Sequence, residues 1–175
     1  MSAKTVLILG LATAMAGCTS IADVPTERVG ETQLRFANGL PAGTAQLLRG
    51  ANQISLSVAV SGMEPGAHGF HLHAVGRCEG PDFTSAEGHL NPYGKNHGSL
   101  SAGGSHLGDL PNLTVAANGT ATADVVIGGD RETVLDQIFD EDGTAIIVHA
   151  KADDYRTNPS GDAGARVACG VMRES

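Results

Sequence analysis

The clearest pattern in the chain lies between Asn52 and Val60. There Ile54, Leu56, Val58 and Val60 fall on one face of an extended segment, and Ser55 and Ser57 on the other. Alternation with a period of two marks a half-buried antiparallel strand. Shorter runs predict strands over Leu34 to Phe36 and Thr44 to Arg49, with Ala37-Asn38-Gly39-Leu40-Pro41 turning between them. Gly62-Met63-Glu64-Pro65-Gly66 is turn chemistry, and it delivers the chain into Ala67-His68-Gly69-Phe70-His71-Leu72-His73. Pattern returns over Asn112 to Ala116 and Thr120 to Ile127, joined by Asn118-Gly119, a strong hairpin signal. Gly128 to Thr133 reads as loop. Asp140-Glu141-Asp142-Gly143 turns into Thr144 to His149, whose Ala145-Ile146-Ile147-Val148 run looks buried, and Arg166 to Met172 forms a final strand. The sum is an antiparallel all-β domain of seven or eight strands, without internal repeats.

Two stretches break the pattern. Residues 74 to 112 and Lys151 to Ala165 are long, polar and rich in turn formers. Loops of that length inside a compact domain are either functional or disordered. The first contains His89, His97, His106 and then Asp109; the strand before it carries His71 and His73, two apart and so on one face. A lone His-x-His pair reads equally well as a solvated strand face. With His89, His97, His106 and His149 downstream, metal ligation explains both the composition of the loop and its order. Composition agrees: Gly is 24 of 175 residues, aromatics are 3% and Trp is absent, which suits hairpins and long irregular loops.

The first residues are of another kind. Met1-Ser2-Ala3-Lys4 is a short basic start, Thr5 to Ala16 is apolar but too short for a mature span, and small residues follow. Residues 1 to 17 therefore read as a secretory signal. They end in Met15-Ala16-Gly17-Cys18, similar to the bacterial lipoprotein cleavage box, although Met15 stands where Leu is usual. Cys18 is then the lipidated first residue of an exported protein anchored in a membrane facing the periplasm; ordinary cleavage near Ala16 is the alternative. Residues 18 to 33 are polar and unpatterned and read as a tether, with the domain proper over 34 to 175. If Cys18 carries lipid, Cys78 and Cys169 remain, and an exported domain with two cysteines most simply forms one disulfide. Losing residues 1 to 17 removes Lys4 alone among charged residues, moving the net charge from −8 to −9. That balance, with no basic run, excludes nucleic acid as a partner. An anionic substrate needs a local basic funnel.

The order Gly69-Phe70-His71-Leu72-His73, Gly88-His89-Leu90-Asn91-Pro92, His97-Gly98, His106-Leu107-Gly108-Asp109-Leu110, Val148-His149-Ala150-Lys151-Ala152-Asp153-Asp154 and Ala165-Arg166-Val167-Ala168-Cys169-Gly170 resembles the copper/zinc superoxide dismutases. The resemblance runs from about residue 43 to 172. The span from Cys78 to His89 is longer than in the animal enzymes, which, with the export signal, looks like the bacterial periplasmic branch. The resemblance implies a Greek-key sandwich or flattened barrel of about eight strands with two long functional loops. It also implies one copper and one zinc ion per chain: copper on His71, His73, His89 and His149, zinc on His89, His97, His106 and Asp109, with His89 bridging. Asp153 matches the carboxylate that links His71 to His97, with a shift to Asp154 the alternative. Cys78 and Cys169 match the disulfide, and His68 becomes a structural residue tying the copper strand to neighbouring backbone. Arg166 matches the arginine beside copper, where a fixed cation can hold a small oxyanion; Lys151 and Arg156 could extend the funnel.

The activity so implied is dismutation of superoxide to oxygen and hydrogen peroxide, with Arg166 and His89 as catalytic residues. A homodimer is compatible with the resemblance, on no particular surface. The alternative is a non-catalytic periplasmic copper/zinc-binding protein. A copper carrier would favour Met and Cys ligands, which the constellation lacks. A zinc hydrolase would need an open zinc position, and three histidines with one aspartate close it.

Overall fold

A computed structural model describes residues 27–175. Cys18, the signal and the first part of the expected tether lie outside the described residues. Among the described residues, ten strands and one α-helix follow in order: β1 (Glu27–Phe36), β2 (Pro41–Arg49), β3 (Ile54–Val60), β4 (Gly66–His68), β5 (Phe70–His73), β6 (Leu113–Val115), β7 (Ala121–Ile127), α1 (Arg131–Ile138), β8 (Ala145–His149), β9 (Arg166–Val171) and β10 (Arg173–Glu174), with a single 3-10 turn (Thr84–Ala86) between β5 and β6. The main sheet is antiparallel and runs β5-β8-β9-β1-β2-β3-β7, with β10 added on β1, while β4 and β6 form a two-stranded sheet. The connection from β7 crosses by way of α1 to β8, at the other side of the sheet, as a Greek key requires.

Alternation sets the core. Ile54, Leu56, Val58 and Val60 are all buried, as their spacing predicts, and pack with Leu34, Leu47, Phe70, Leu72, Leu113, Ile146 and Val148. The histidine stretch is broken in two. Gly66–His68 pairs with β6, and Phe70–His73 pairs with β8. β5 therefore sits at the edge of the main sheet, and its free side is open to the long loop.

Two expectations are corrected. The strand expected from Leu34 begins at Glu27, so residues 27 to 33 are sheet and not tether. Gly30 and Thr32 are buried on the same face as Leu34 and pair with β2; glycine and threonine carry no strong apolar signal, which is why the pattern hid the strand. The loop expected over Gly128 to Thr133 runs only to Asp130, because Asp130 caps α1 by accepting from the Thr133 amide at 3.1 Å.

Register aligns the parts that matter. His71 lies opposite Ile147, Ile147 opposite Cys169, and Cys169 opposite Arg35. The disulfide cysteine thus stands two strands away from a candidate ligand, in one row across the sheet.

Candidate metal centre

β5 supplies His71 and His73, both buried, while Phe70 and Leu72 point into the core. The long loop folds back along the free edge of β5: Leu72 donates to Gly108 O at 3.0 Å and accepts from the Leu90 amide at 2.8 Å. His73 then faces His89, and His71 faces Asp109. β8 ends at His149, opposite Arg166 at the start of β9.

Two groups of side chains result. Ligand atoms of His71, His73, His89 and His149 lie within 4.8 Å of one another, and so do those of His89, His97, His106 and Asp109. In the first group each ring has one nitrogen held and one bare. His73 Nδ1 lies 2.8 Å from Glu87 O, His149 Nδ1 3.1 Å from Gly164 O, His71 Nε2 2.9 Å from Asp153 Oδ2, and His89 Nδ1 2.8 Å from Asp109 Oδ1. The opposite nitrogens, His71 Nδ1 and Nε2 of His73, His89 and His149, are buried without a hydrogen-bond partner. Orphaned buried polar atoms are costly and rare. Four converging on one point are a cation site, and holding the far nitrogen of each ring fixes the tautomer that leaves the near one free.

In the second group, Asp109 Oδ1 lies 2.8 Å from His89 Nδ1, 3.0 Å from His97 Nδ1 and 3.1 Å from His106 Nδ1, while His106 Nδ1 is 3.3 Å from His89 Nδ1. One oxygen cannot satisfy three ring donors at once, but three nitrogens and one oxygen around an ion make a closed tetrahedral set. Asp109 Oδ2 accepts from the amides of Gly98 and His106 at 2.8 and 3.0 Å, which aims Oδ1 inward. The donor chemistry fits copper and zinc: imidazoles suit both, and a carboxylate suits the second site.

Burial sets the protonation of these groups. It pushes His73 down to about 2, His89 to about 4 and His149 to about 3, helped by neighbouring histidines. The rings are therefore neutral at physiological pH, as ligands must be. Burial would raise Asp153, but hydrogen bonds from His71, His97 and the Tyr155 amide outweigh it and hold the carboxyl near 2. Burial likewise opposes ionisation of Asp109, and His89, Gly98 and His106 overcome it, holding Asp109 well below the usual carboxylate range.

Asp153, and not Asp154, joins the two groups: its other oxygen lies 3.0 Å from His97 Nε2. Asp154 instead accepts from Thr157 and the Arg156 amide. His68 lies between two main-chain carbonyls, Nδ1 2.7 Å from His149 O and Nε2 2.8 Å from Glu64 O, as its structural role requires. Cys78 and Cys169 form a disulfide with Cα atoms 5.7 Å apart. Arg166 gives Nη1 to Phe83 O and Nη2 to Glu87 O at 2.6 and 2.5 Å. Its charge acts on His73 and His149. The carbon stem of Lys151 lies against Gly164, whose carbonyl holds His149. Arg156 is turned elsewhere, with Nη1 3.3 Å from Leu100 O.

Several contributors escape a reading of the sequence. Asn112 Oδ1 accepts from the Asp153 amide at 2.8 Å and its Nδ2 donates to Asp153 O at 2.9 Å, while its own amide donates to Tyr155 Oη at 2.8 Å. Asn112 thus fixes the main chain of the linking aspartate. Glu87 holds φ 58° and ψ −147°, a conformation costly for a residue with a side chain, and so offers one carbonyl to both His73 and Arg166. The two long loops are also keyed together. A Cβ on Gly98 would stand 2.0 Å from Tyr155 O; Leu100 donates to Tyr155 O at 3.1 Å, Ser101 Oγ to Arg156 O at 2.9 Å, and the His97 amide to Asn158 Oδ1 at 2.7 Å.

Residues 42–172 match the family model for copper/zinc superoxide dismutase. The chain belongs to that family. A copper/zinc superoxide dismutase of Aquifex aeolicus is 39% identical over 144 residues, covering 81% of this chain and 84% of the relative. A superoxide dismutase-like protein of Bacillus subtilis is 40% identical over 163 residues, covering 85% and 82%. Among solved structures, a superoxide dismutase-like protein from Bacillus subtilis superposes with a TM-score of 0.74 at 38% identity, covering 81% of this chain and 96% of that one. The copper/zinc superoxide dismutase from Brucella abortus gives 0.66 at 27% identity, covering 82% and 98%. The family is one of oxidoreductases, its sheet is the Greek-key barrel described above, and the two histidine groups are those that could hold its copper and zinc.

Proposed function

We propose that this chain dismutes superoxide, with His71, His73, His89 and His149 holding copper and His89, His97, His106 and Asp109 holding zinc. The observation that carries the reading is the set of four bare, buried ring nitrogens beside Arg166. When bound, the metals supply one-electron exchange at copper and a fixed positive charge at zinc. Two superoxide anions and two protons become one oxygen and one hydrogen peroxide. Arg166 captures the anion: two of its donors are held by Phe83 O and Glu87 O, so the fork is fixed in place and its other N–H groups are left for the substrate. His89 is the proton carrier, holding a proton at Nε2 between the two halves of the cycle while Asp109 and the zinc group fix Nδ1. Asp153 orients both His71 and His97.

The reading extends to export. Residues 1 to 17 act as a lipoprotein signal, and Cys18 carries the lipid that anchors the domain in the periplasm. Labelled fatty acid should enter the chain in a bacterial host and be lost with Cys18→Ser. Association as a homodimer belongs to the same reading, and sedimentation of the metal-loaded protein would report twice the mass of the chain. The test of function is superoxide decay with both metals loaded and again after copper is removed. Turnover that vanishes with copper and weakens with salt supports it. Tight binding of both metals without turnover would leave a non-catalytic copper/zinc-binding protein.

A further inference from the structure

The cation that receives the substrate is embedded in an acidic loop. Between Cys78 and His89 stand Glu79, Asp82 and Glu87 and no basic residue. This same loop supplies both carbonyls that grip the Arg166 guanidinium, Phe83 O and Glu87 O. Asp82 is the neighbour of Phe83, and its carboxylate is not loose: Oδ1 accepts from the Thr84 amide at 3.1 Å and from Thr84 Oγ1 at 2.9 Å. Those two bonds hold Asp82 below the usual carboxylate range, with the charge of Arg166 adding to them. Asp82 in turn is the carboxylate whose charge acts on Arg166. A solvent-exposed anion is thus pinned on the residue next to the carbonyl that grips the guanidinium.

We infer that Asp82 is a charge filter for the copper mouth: it lowers the positive potential at Arg166, admitting small monoanions and rejecting multiply charged ones. This rests on the reading of Arg166 as the substrate receptor. An anion of charge z gains z times the local potential. A fixed negative charge that weakens monoanion binding by a factor f therefore weakens dianion binding by f². The filter sacrifices some superoxide capture and gains a disproportionate exclusion of dianions such as sulfate.

The test uses the full metal-loaded protein with Asp82→Asn, which keeps an oxygen for Thr84, and with Asp124→Asn as control. Asp124 is exposed on β7, so the control changes net charge equally at the far edge of the sheet. Azide binding is followed through the copper absorption band, and sulfate binding by competition with azide at constant ionic strength. At an ionic strength of ~0.01 M, Asp82→Asn should tighten azide about twofold and sulfate about fourfold, and raise kcat/KM for superoxide about twofold. The gains should shrink toward unity at ~0.5 M, where the screening length falls to about 4 Å and exposed charges further apart than that no longer act on one another. Equal affinities in Asp82→Asn and Asp124→Asn, or equal gains for azide and sulfate, would overturn the filter. Absence of turnover in the parent would remove the dismutase reading alone, since the anion affinities judge the filter without it.

Discussion

At the scale of single residues, the site is built less by its ligands than by what holds their far sides. Arg166 shows this. Its charge could be supplied by lysine, but its grip on Phe83 O and Glu87 O could not. Arg166→Lys should keep part of the salt dependence of superoxide decay while lowering kcat/KM about tenfold, and Arg166→Ala should lose both. Asn112 makes the same point away from the substrate. Asn112→Ala strands the amide and carbonyl of a buried aspartate, at a cost of about 1–3 kcal/mol. With Asp153 loosened, affinity for zinc should fall about 10- to 100-fold, as loss of an outer partner does elsewhere. Chelator competition measures the second effect and thermal unfolding of the metal-free protein the first. The ligands themselves were legible because histidine is scarce and ordered motifs are specific. Asn112, Glu87 and Phe83 were not, because they act through backbone atoms or on backbone atoms, and a main-chain contact leaves no mark on residue type.

At the scale of elements, alternation identified β3, and short apolar runs with the turn signals between them identified β2, β7, β8 and β9, within a few residues of their observed bounds. The pattern failed where the inward residues were Gly30 and Thr32, and where a polar cap, Asp130, opened a helix with a weak apolar stripe. The break at Gly69 was equally invisible, since the strand on either side is continuous in pattern and changes only its partner. The disulfide belongs to this scale. It ties the loop bearing the Arg166 acceptors to β9, across a sequence separation of 91 residues. Closing so long a loop is worth about 4–5 kcal/mol in the chain-entropy model. Reduction should therefore lower the denaturation midpoint of the metal-free protein strongly. In the metal-loaded protein it should also weaken salt-dependent anion capture, because Phe83 and Glu87 are no longer fixed under the guanidinium. Comparing reduced and oxidised protein in urea and in superoxide decay separates the two effects.

At the scale of the whole molecule, the metal-free fold is a store of refused protons. His73, His89 and His149 stay neutral in the folded state down to about 2, 4 and 3, whereas the unfolded chain protonates them near 6.5. Folded values below unfolded ones mean that the unfolded state binds more protons as pH falls. Stability should be full above about pH 7 and decline from there downward, by about 1.4 kcal/mol per pH unit for each histidine concerned. Urea midpoints of the metal-free protein between pH 7.5 and 5 would register this, and a flat profile would contradict it. The keyed loops have a consequence of another kind. Since Gly98 sits against Tyr155 O, and Leu100, Ser101 and His97 all bond the opposite loop, neither loop can lift while the other stays. They form a single opening unit in hydrogen exchange. The amides of Leu100 and His97 should exchange at the same rate as those of Asp153 and Tyr155, and a protease that nicks one loop should find the other already unlatched.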